Sequence, residues 1–157
     1  MLKYTDSQVT FSEVPDEISL CINISNCPNN CPGCHSSYLK NDIGTLLSKE
    51  ELSRLIEANQ GISCVCIMGG DSEPKEVNNI AKFIRDKYKL KTTWYSGNTE
   101  LSKDIDISNF DFIKIGPYDR NKGPLNNPNT NQKFYEVVTM STGKQKLHDI
   151  TFKFWRK

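Results

Sequence analysis

The sequence has no long apolar run and no large excess of charge of one sign. No run approaches the roughly 20 apolar residues that a membrane-spanning helix needs, and the first residues lack the apolar core of a signal peptide. The 157 residues include 20 basic and 19 acidic side chains, a formal net charge of +1. Without a field of one sign, neither nucleic acid nor an anionic membrane is an expected partner. We therefore expect a cytoplasmic protein.

Internal repeats are also absent, and the only biased segment is a polar, Asn-rich stretch at residues 119–131. A loop of this length inside a compact domain is typically functional or disordered. Aromatic residues make up 10% and charged residues 25% of the chain, which is typical of a globular fold. We predict one domain over residues 1–157.

Cysteine is the residue type that the sequence has in unusual number, with six. In a reducing compartment, clustered thiols favour metal binding or redox chemistry over disulfides. Cys27, Cys31 and Cys34 are spaced C-x3-C-x2-C in a segment that its prolines and glycine keep from being helical. Three thiolates on one loop, predicted to span residues 25–36, suit a [4Fe-4S] cluster with one iron left without a protein ligand.

The other three cysteines, Cys21, Cys64 and Cys66, lie in apolar segments that read as strands. We interpret them as small buried hydrophobic residues. Cys64 and Cys66 would share one strand face, so joint metal binding is the alternative.

Strand-like and helix-like segments alternate along most of the chain. A capping box at Ser48 and Glu51 and a proline at position 74 mark two helix starts. The predicted strands cover residues 9–14, 18–24, 62–68, 91–95, 111–115, 134–139 and 150–155. Such alternation indicates βαβ units and a mainly parallel sheet.

Two further motifs follow strands at the edge where α/β folds place their ligands. The first is Gly69-Gly70-Asp71, where the glycines permit close approach of backbone to a ligand and Asp71 can hold a cationic amine. An ordinary β–α turn with a carboxylate near a helix N-terminus is the alternative. The second is the turn at Ser96, for which simple turn chemistry is equally reasonable.

Five motifs occur in an order that resembles the radical S-adenosylmethionine superfamily, and within it the small activating proteins of anaerobic (class III) ribonucleoside-triphosphate reductases. The motifs are Cys27-Pro28-Asn29-Asn30-Cys31-Pro32-Gly33-Cys34-His35, Gly69-Gly70-Asp71, Trp94-Tyr95-Ser96-Gly97, Gly116-Pro117-Tyr118 and Asn131-Gln132. The resemblance covers roughly residues 15 to 135. The family commonly has Asp where this chain has Ile115.

The resemblance implies an α/β fold that is an incomplete, open (β/α) barrel of the radical S-adenosylmethionine type. It implies an oxidoreductase in which the open iron is chelated by the amino and carboxylate groups of S-adenosylmethionine. Reductive cleavage then releases methionine and a 5′-deoxyadenosyl radical, which takes hydrogen from a glycine Cα of the reductase large subunit. The resemblance implies that the region of Ser96 contacts the carboxylate or ribose of S-adenosylmethionine, and Gly69, Gly70 and Asp71 are further candidates for binding this ligand. For His35 the alternatives are packing of its ring on adenine and a local hydrogen bond. A reduced electron donor such as flavodoxin is the second implied partner.

Two alternatives remain open at this stage. The first is an activase of a different glycyl-radical enzyme, since cluster and cosubstrate would be the same. The second is a binding module without catalysis, stabilised by zinc with His35 as the fourth ligand. Adjacent Cys34 and His35 would chelate one ion awkwardly, and this disfavours zinc.

Overall fold

A computed structural model describes residues 2–25 and 43–155. Within them, eight strands form one sheet in the order β3-β1-β2-β4-β5-β6-β7-β8. The strands are β1 (Lys3–Thr10), β2 (Ser19–Ile24), β3 (Thr45–Leu46), β4 (Cys64–Met68), β5 (Lys91–Tyr95), β6 (Phe112–Ile115), β7 (Lys133–Thr139) and β8 (Gln145–Asp149). The helices are α1 (Lys49–Glu57) and α2 (Pro74–Tyr88), with short 3-10 helices at Ile107–Asn109 and Thr151–Trp155.

The centre of this sheet is parallel and its flanks are antiparallel. The strand pairs β2–β4, β4–β5 and β5–β6 are parallel, whereas the four outer pairs are antiparallel. The sequence predicts a mainly parallel sheet, and the described sheet is mixed because the strands before and after the βαβ core return beside it. The open-barrel architecture stays a prediction.

Side chains alternate between the two faces of the central strands. One face, here called the helix face, packs Leu20, Ile22, Val65, Ile67 and Trp94 against α1 and α2. The opposite face, here called the thiol face, carries the buried cysteines of β2 and β4. It is covered by side chains from the loops and the chain's last segment, namely Val14, Leu125, Ile150 and Phe154.

Both helices begin where the sequence predicts, and both bury apolar side chains that the sequence predicts to be buried. Ser48 caps α1, its hydroxyl accepting from the Glu51 amide at 3.1 Å. Pro74 lies in the first turn of α2. The apolar stripe of α2 is buried at Val77, Ile80, Ala81 and Ile84, which confirms the helical period.

The last predicted strand, over residues 150–155, is wrong. That segment forms a 3-10 helix at Thr151–Trp155, and the strand paired with β7 is the preceding polar segment Gln145–Asp149. A tight turn with Gly143 at φ +87° sets this hairpin register. The Asp149 carboxylate then accepts from the Thr151 amide at 2.9 Å, which begins the 3-10 helix. Apolar periodicity misled the prediction because β8 is an exposed edge strand.

The first strand also differs from the prediction. It runs over Lys3–Thr10, and the predicted segment 9–14 overlaps it by two residues. Residues 11–16 instead form bends that carry the fully buried Val14 onto the thiol face. Because most of β1 is polar and half exposed, its sequence lacks the apolar pattern that identifies a strand.

We predict that Glu51→Gln makes the fold less sensitive to acid. Hydrogen bonds from Arg54 (2.6 Å) and Tyr4 (2.6 Å) lower the pKa of Glu51 to about 2. A carboxylate whose folded pKa is depressed stabilises the fold above its unfolded pKa, ordinarily 4.5, and loses that contribution as pH falls toward 2. Unfolding free energies by denaturant, measured at about pH 6 and about pH 3, should therefore differ less in the variant.

The control is Glu50→Gln, which removes the neighbouring exposed carboxylate. It should preserve the acid sensitivity of the unmodified protein. An equal loss of acid sensitivity in both variants would contradict the assigned role of Glu51.

Candidate functional site

The four parallel strands end at the same edge of the sheet, and each of them is followed by a sequence motif. Ile24 of β2 leads through Ser25 into the predicted cluster loop. Ser25 is anchored there, its amide donating to the Lys3 carbonyl at 2.9 Å. Residues 26–42, and with them Cys27, Cys31, Cys34 and His35, lie outside the described residues. Their assignment to a cluster stays a prediction.

Gly69 and Gly70 follow β4 with φ of +109° and +96°. These values lie in the region that only glycine adopts readily. A Cβ on Gly69 would lie 3.1 Å from the Ile24 carbonyl oxygen, and one on Gly70 would lie 2.5 Å from Val77 Cγ2. The glycine pair therefore packs the end of β4 between the start of the cluster loop and helix α2. Trp94 Nε1 also donates to the Gly69 carbonyl at 2.7 Å.

Asp71 and Ser96, predicted to share a site, are in direct contact. Ser96 Oγ donates to Asp71 Oδ1 at 2.6 Å, and the Gly97 amide donates to Asp71 Oδ2 at 2.8 Å. Asn98 adds its side-chain amide to the same carboxylate at 3.4 Å and its backbone amide to Ser96 Oγ at 3.1 Å. The Asp71 side chain therefore holds the turn after β5 against the end of β4.

A buried lysine lies beside this pair. Lys114 is 7% exposed, and its Nζ donates to the carbonyls of Ser96 (3.1 Å) and Gly116 (2.8 Å). The Nζ also lies 5.8 Å from the centre of the Tyr95 ring, within cation–π range. Together, Asp71, Ser96 and Lys114 form what we call the strand-end network, which joins the ends of β4, β5 and β6.

Residues 119–131 are fixed at several points, although they contain no helix or strand. Leu125 is buried on the thiol face, and its carbonyl accepts from Trp155 Nε1 at 3.0 Å. Near the end of the loop, Asn131 Nδ2 donates to the Pro117 carbonyl at 3.1 Å. A Cβ on Gly116 would meet Gln132 Cα at 3.0 Å. The Asn131-Gln132 pair therefore closes the loop against the end of β6.

The three cysteines outside the predicted cluster loop are buried thiols, as the sequence predicts. Burial raises the pKa of Cys64 to about 12 and that of Cys66 well above its ordinary value. A hydrogen bond with Cys66, its partner across β2 and β4, lowers the pKa of Cys21. Burial therefore favours the protonated form of both thiols, and a protonated thiol is a poor nucleophile.

Within residues 2–25 and 43–155, no three His, Cys, Asp or Glu side chains are arranged to hold a metal ion. The alternative of a metal at Cys64 and Cys66 thus gains no support. In the same part of the chain, neither described helix has both the length and the apolarity that crossing a bilayer requires.

In a comparison with protein families, residues 18–138 match the family described as a 4Fe-4S single cluster domain. This span is more than half of the chain and includes the C-x3-C-x2-C motif. The chain belongs to this family. Searches of curated proteins and of solved structures found no match. The family supports an iron–sulfur protein, in agreement with the cluster expected from the cysteine spacing.

Two members of the site were not predicted from the sequence. Lys114 was detectable, because a charged residue within the buried strand segment Phe112–Ile115 faces the same side as Phe112. Asn98 carried no such signal, since an asparagine after Ser-Gly is ordinary in a turn. Ile115, at the position where the family that the sequence resembles commonly has Asp, packs against the apolar core of the helix face.

We predict that Gly70→Ala is much more destabilising than Gly143→Ala. Both glycines have positive φ, but a Cβ at Gly143 meets nothing within 4 Å, whereas one at Gly70 collides with Val77. Backbone strain alone should cost Gly143→Ala about 1 kcal/mol, and strain plus overpacking should cost Gly70→Ala about 2 to 4 kcal/mol. Denaturant unfolding measures both, and equal costs would contradict the close packing described.

Proposed function

We propose that the protein is a radical S-adenosylmethionine activase that generates a glycyl radical on an anaerobic ribonucleoside-triphosphate reductase. Its cofactors would be a [4Fe-4S] cluster and S-adenosyl-L-methionine. The observation that carries the proposal is the coincidence of two features in a 4Fe-4S family member. β2 ends at Ile24, three residues before the first cysteine of the C-x3-C-x2-C motif, and the polar groups of the strand-end network lie at the same edge of the sheet.

The residues present fit these cofactors by their chemistry. Thiolates of Cys27, Cys31 and Cys34 are the ligands that iron–sulfur clusters take, and three of them leave one iron open. The Asp71 carboxylate suits a cationic amino group, and the turn at Ser96 offers polar groups for a carboxylate or ribose. The close packing of Gly69 on Ile24 brings these groups near the start of the cluster loop.

When bound, the cluster and S-adenosylmethionine supply a one-electron reductive cleavage whose 5′-deoxyadenosyl product removes hydrogen from a glycine Cα. The chain's own part is to hold both cofactors and to exclude water from them. The thiol face buries Cys66, Phe112 and Phe134 in one cluster, so side chains fill this side of the sheet. Access for a partner is then left at the carboxyl edge of the strands.

A protein segment is the substrate that we propose. In the part of the chain that the structure describes, the sheet runs from β3 to β8 without those two strands pairing, and we propose that the cluster is reachable from outside. The large reductase subunit would insert its glycine loop there, and a reduced donor such as flavodoxin would supply the electron. Activation of another glycyl-radical enzyme remains the nearest alternative, because it would use the same site.

Cluster ligation is tested by Cys31→Ala, with Cys66→Ala as a matched control. Removing one of three ligands should abolish the [4Fe-4S] cluster, whereas Cys66 is a protonated, buried thiol and its loss should leave iron content unchanged. After anaerobic purification, the measurements are iron and sulfide content, the visible spectrum and its bleaching by dithionite. The yield of 5′-deoxyadenosine from S-adenosylmethionine completes the set.

The unmodified protein and Cys66→Ala should be brown and form 5′-deoxyadenosine, and Cys31→Ala should do neither. A colourless zinc protein would overturn the proposal in favour of a binding module. Co-purification with a different glycyl-radical enzyme, and activation of that enzyme alone, would redirect the proposal to the alternative partner.

The exposed part of loop 119–131 is our candidate for contact with the partner. Arg120 and Lys122 are exposed there, between the strand end and the buried Leu125. The double variant Arg120→Glu, Lys122→Glu should lower glycyl-radical formation about tenfold, while 5′-deoxyadenosine formation without the partner stays unchanged. Reversing Lys144 and Lys146, both exposed on the β7–β8 hairpin, is the charge-matched control.

Radical yield on the reductase, measured by electron paramagnetic resonance, separates the two variants. Loss of both activities in the loop variant would defeat the assignment. An equal loss of radical yield in the hairpin variant would also defeat it, since the effect would then follow net charge and not position.

A further inference from the structure

Lys114 is a buried ammonium group in the middle of an otherwise apolar strand. Burying a charge costs several kcal/mol unless it is paired and hydrogen-bonded, and an apolar side chain at this position would avoid that cost. Lysines at other strand positions stay near water: Lys91, at the amino end of β5, is 51% exposed and pairs with Glu17 at 2.9 Å. Fold stability alone therefore does not explain a lysine at position 114.

Several contacts of Lys114 involve the turn after β5. Its backbone carbonyl accepts from the Ser96 amide at 2.8 Å, and its Nζ donates back to the Ser96 carbonyl at 3.1 Å. A second bond from Nζ, to the Gly116 carbonyl at 2.8 Å, ties the end of β6 to the same point. The Gly116 amide in turn donates to the Asn98 carbonyl at 2.7 Å. Lys114 thus clamps the turn 96–98 on its backbone side.

Asp71 clamps the same turn from the other side. It accepts from Ser96 Oγ and from the Gly97 amide, so every polar group of Ser96 has a partner in the described structure. The proton of the Ser96 hydroxyl is committed to Asp71, and one of its two acceptor positions is taken by the Asn98 amide. A ligand could then use the Ser96 hydroxyl only through the remaining acceptor position of Oγ. The direction of that position depends on the conformation of the turn 96–98.

We propose that Lys114 is a positioning residue for the S-adenosylmethionine site and acts through the backbone of the turn 96–98. This inference rests on the proposed function for its ligand. The ammonium holds the Ser96 and Gly116 carbonyls together, and Asp71 holds the Ser96 hydroxyl and the Gly97 amide. Between the two side chains, the turn has one conformation before the ligand arrives, so that binding does not have to order it.

The central variant is Lys114→Met, which keeps the length and apolar stem but leaves two carbonyls without their donor. Lys114→Arg restores a cation with several donors, and Lys91→Met removes a lysine from the opposite end of the neighbouring strand as the matched control. The measurements are amide hydrogen exchange of residues 96–98 without ligand, unfolding temperature, and equilibrium binding of S-adenosylmethionine to the cluster-loaded protein. We also record how S-adenosylmethionine changes the electron paramagnetic resonance spectrum of the reduced cluster.

In Lys114→Met, we expect the amide hydrogens of residues 96–98 to exchange at least tenfold faster. We also expect this variant to bind S-adenosylmethionine about tenfold more weakly. Iron content should be retained, and the spectral change should need correspondingly more ligand. Lys114→Arg should recover most of the affinity, and Lys91→Met should bind as the unmodified protein does. Combining Lys114→Met with Ser96→Ala should cost less than the sum of the two, because both act on one turn.

Unchanged exchange and unchanged affinity in Lys114→Met would overturn the inference. It would also fall if Lys114→Arg and Lys114→Met lost affinity only in proportion to their loss of unfolding temperature. If Lys114→Met does not fold, Lys114→Gln replaces it, because Gln also removes the ammonium group but keeps an amide donor. Amide exchange and affinity equal to those of the unmodified protein in Lys114→Gln would then count against the inference. If the unmodified protein binds no S-adenosylmethionine, the proposed function fails, while the exchange measurement still decides whether Lys114 fixes the turn.

Discussion

The described structure depends on the alignment of four parallel strands whose carboxyl ends meet at one edge. Two buried and oppositely charged side chains, Asp71 and Lys114, secure three of those ends through Ser96. Charge-assisted hydrogen bonds are stronger than neutral ones, and in a buried setting they are worth their desolvation cost only with good geometry. The turn after β5 is therefore held from two sides, at the edge of the sheet where we propose that S-adenosylmethionine binds.

The two faces of the sheet bury different kinds of side chain. The helix face buries large aliphatic residues and Trp94 under α1 and α2, which supplies most of the apolar core. The thiol face is filled by smaller cysteines and by phenylalanines, and it is covered by loops and a 3-10 helix. Cysteine there acts as a small apolar residue, because Cys66 is fully buried and burial raises its pKa. The three buried cysteines thus serve packing, a purpose unrelated to the cluster ligation that we propose for Cys27, Cys31 and Cys34.

Much of the central fold could be predicted from the sequence, since its elements follow from short-range patterns. The N-cap at Ser48, the proline of α2, the apolar run of β4 and the β-branched and aromatic residues of β5 each specify an element locally. The outer strands escaped prediction for the opposite reason. β1 and β8 are polar and half exposed, so that pairing with a neighbour, and not their own composition, makes them strands.

In the site, as in the fold, local sequence patterns could be recognised, whereas contacts between residues distant in the sequence could not. Motif spacing was enough to indicate the glycine pair and Asp71 at the end of a strand, because they follow a recognisable one, whereas the cysteine loop stays a prediction. Motif spacing could not indicate that Asp71 and Ser96 bond each other, since that contact joins residues 25 positions apart. The prediction also omitted Lys114, because a lysine in a strand is ordinarily an exposed one, although a charged residue within the buried segment Phe112–Ile115 is a signal that the sequence does carry. Pairing in the sheet creates these contacts, and a ligand at this edge would meet a turn whose shape is set by two buried charges.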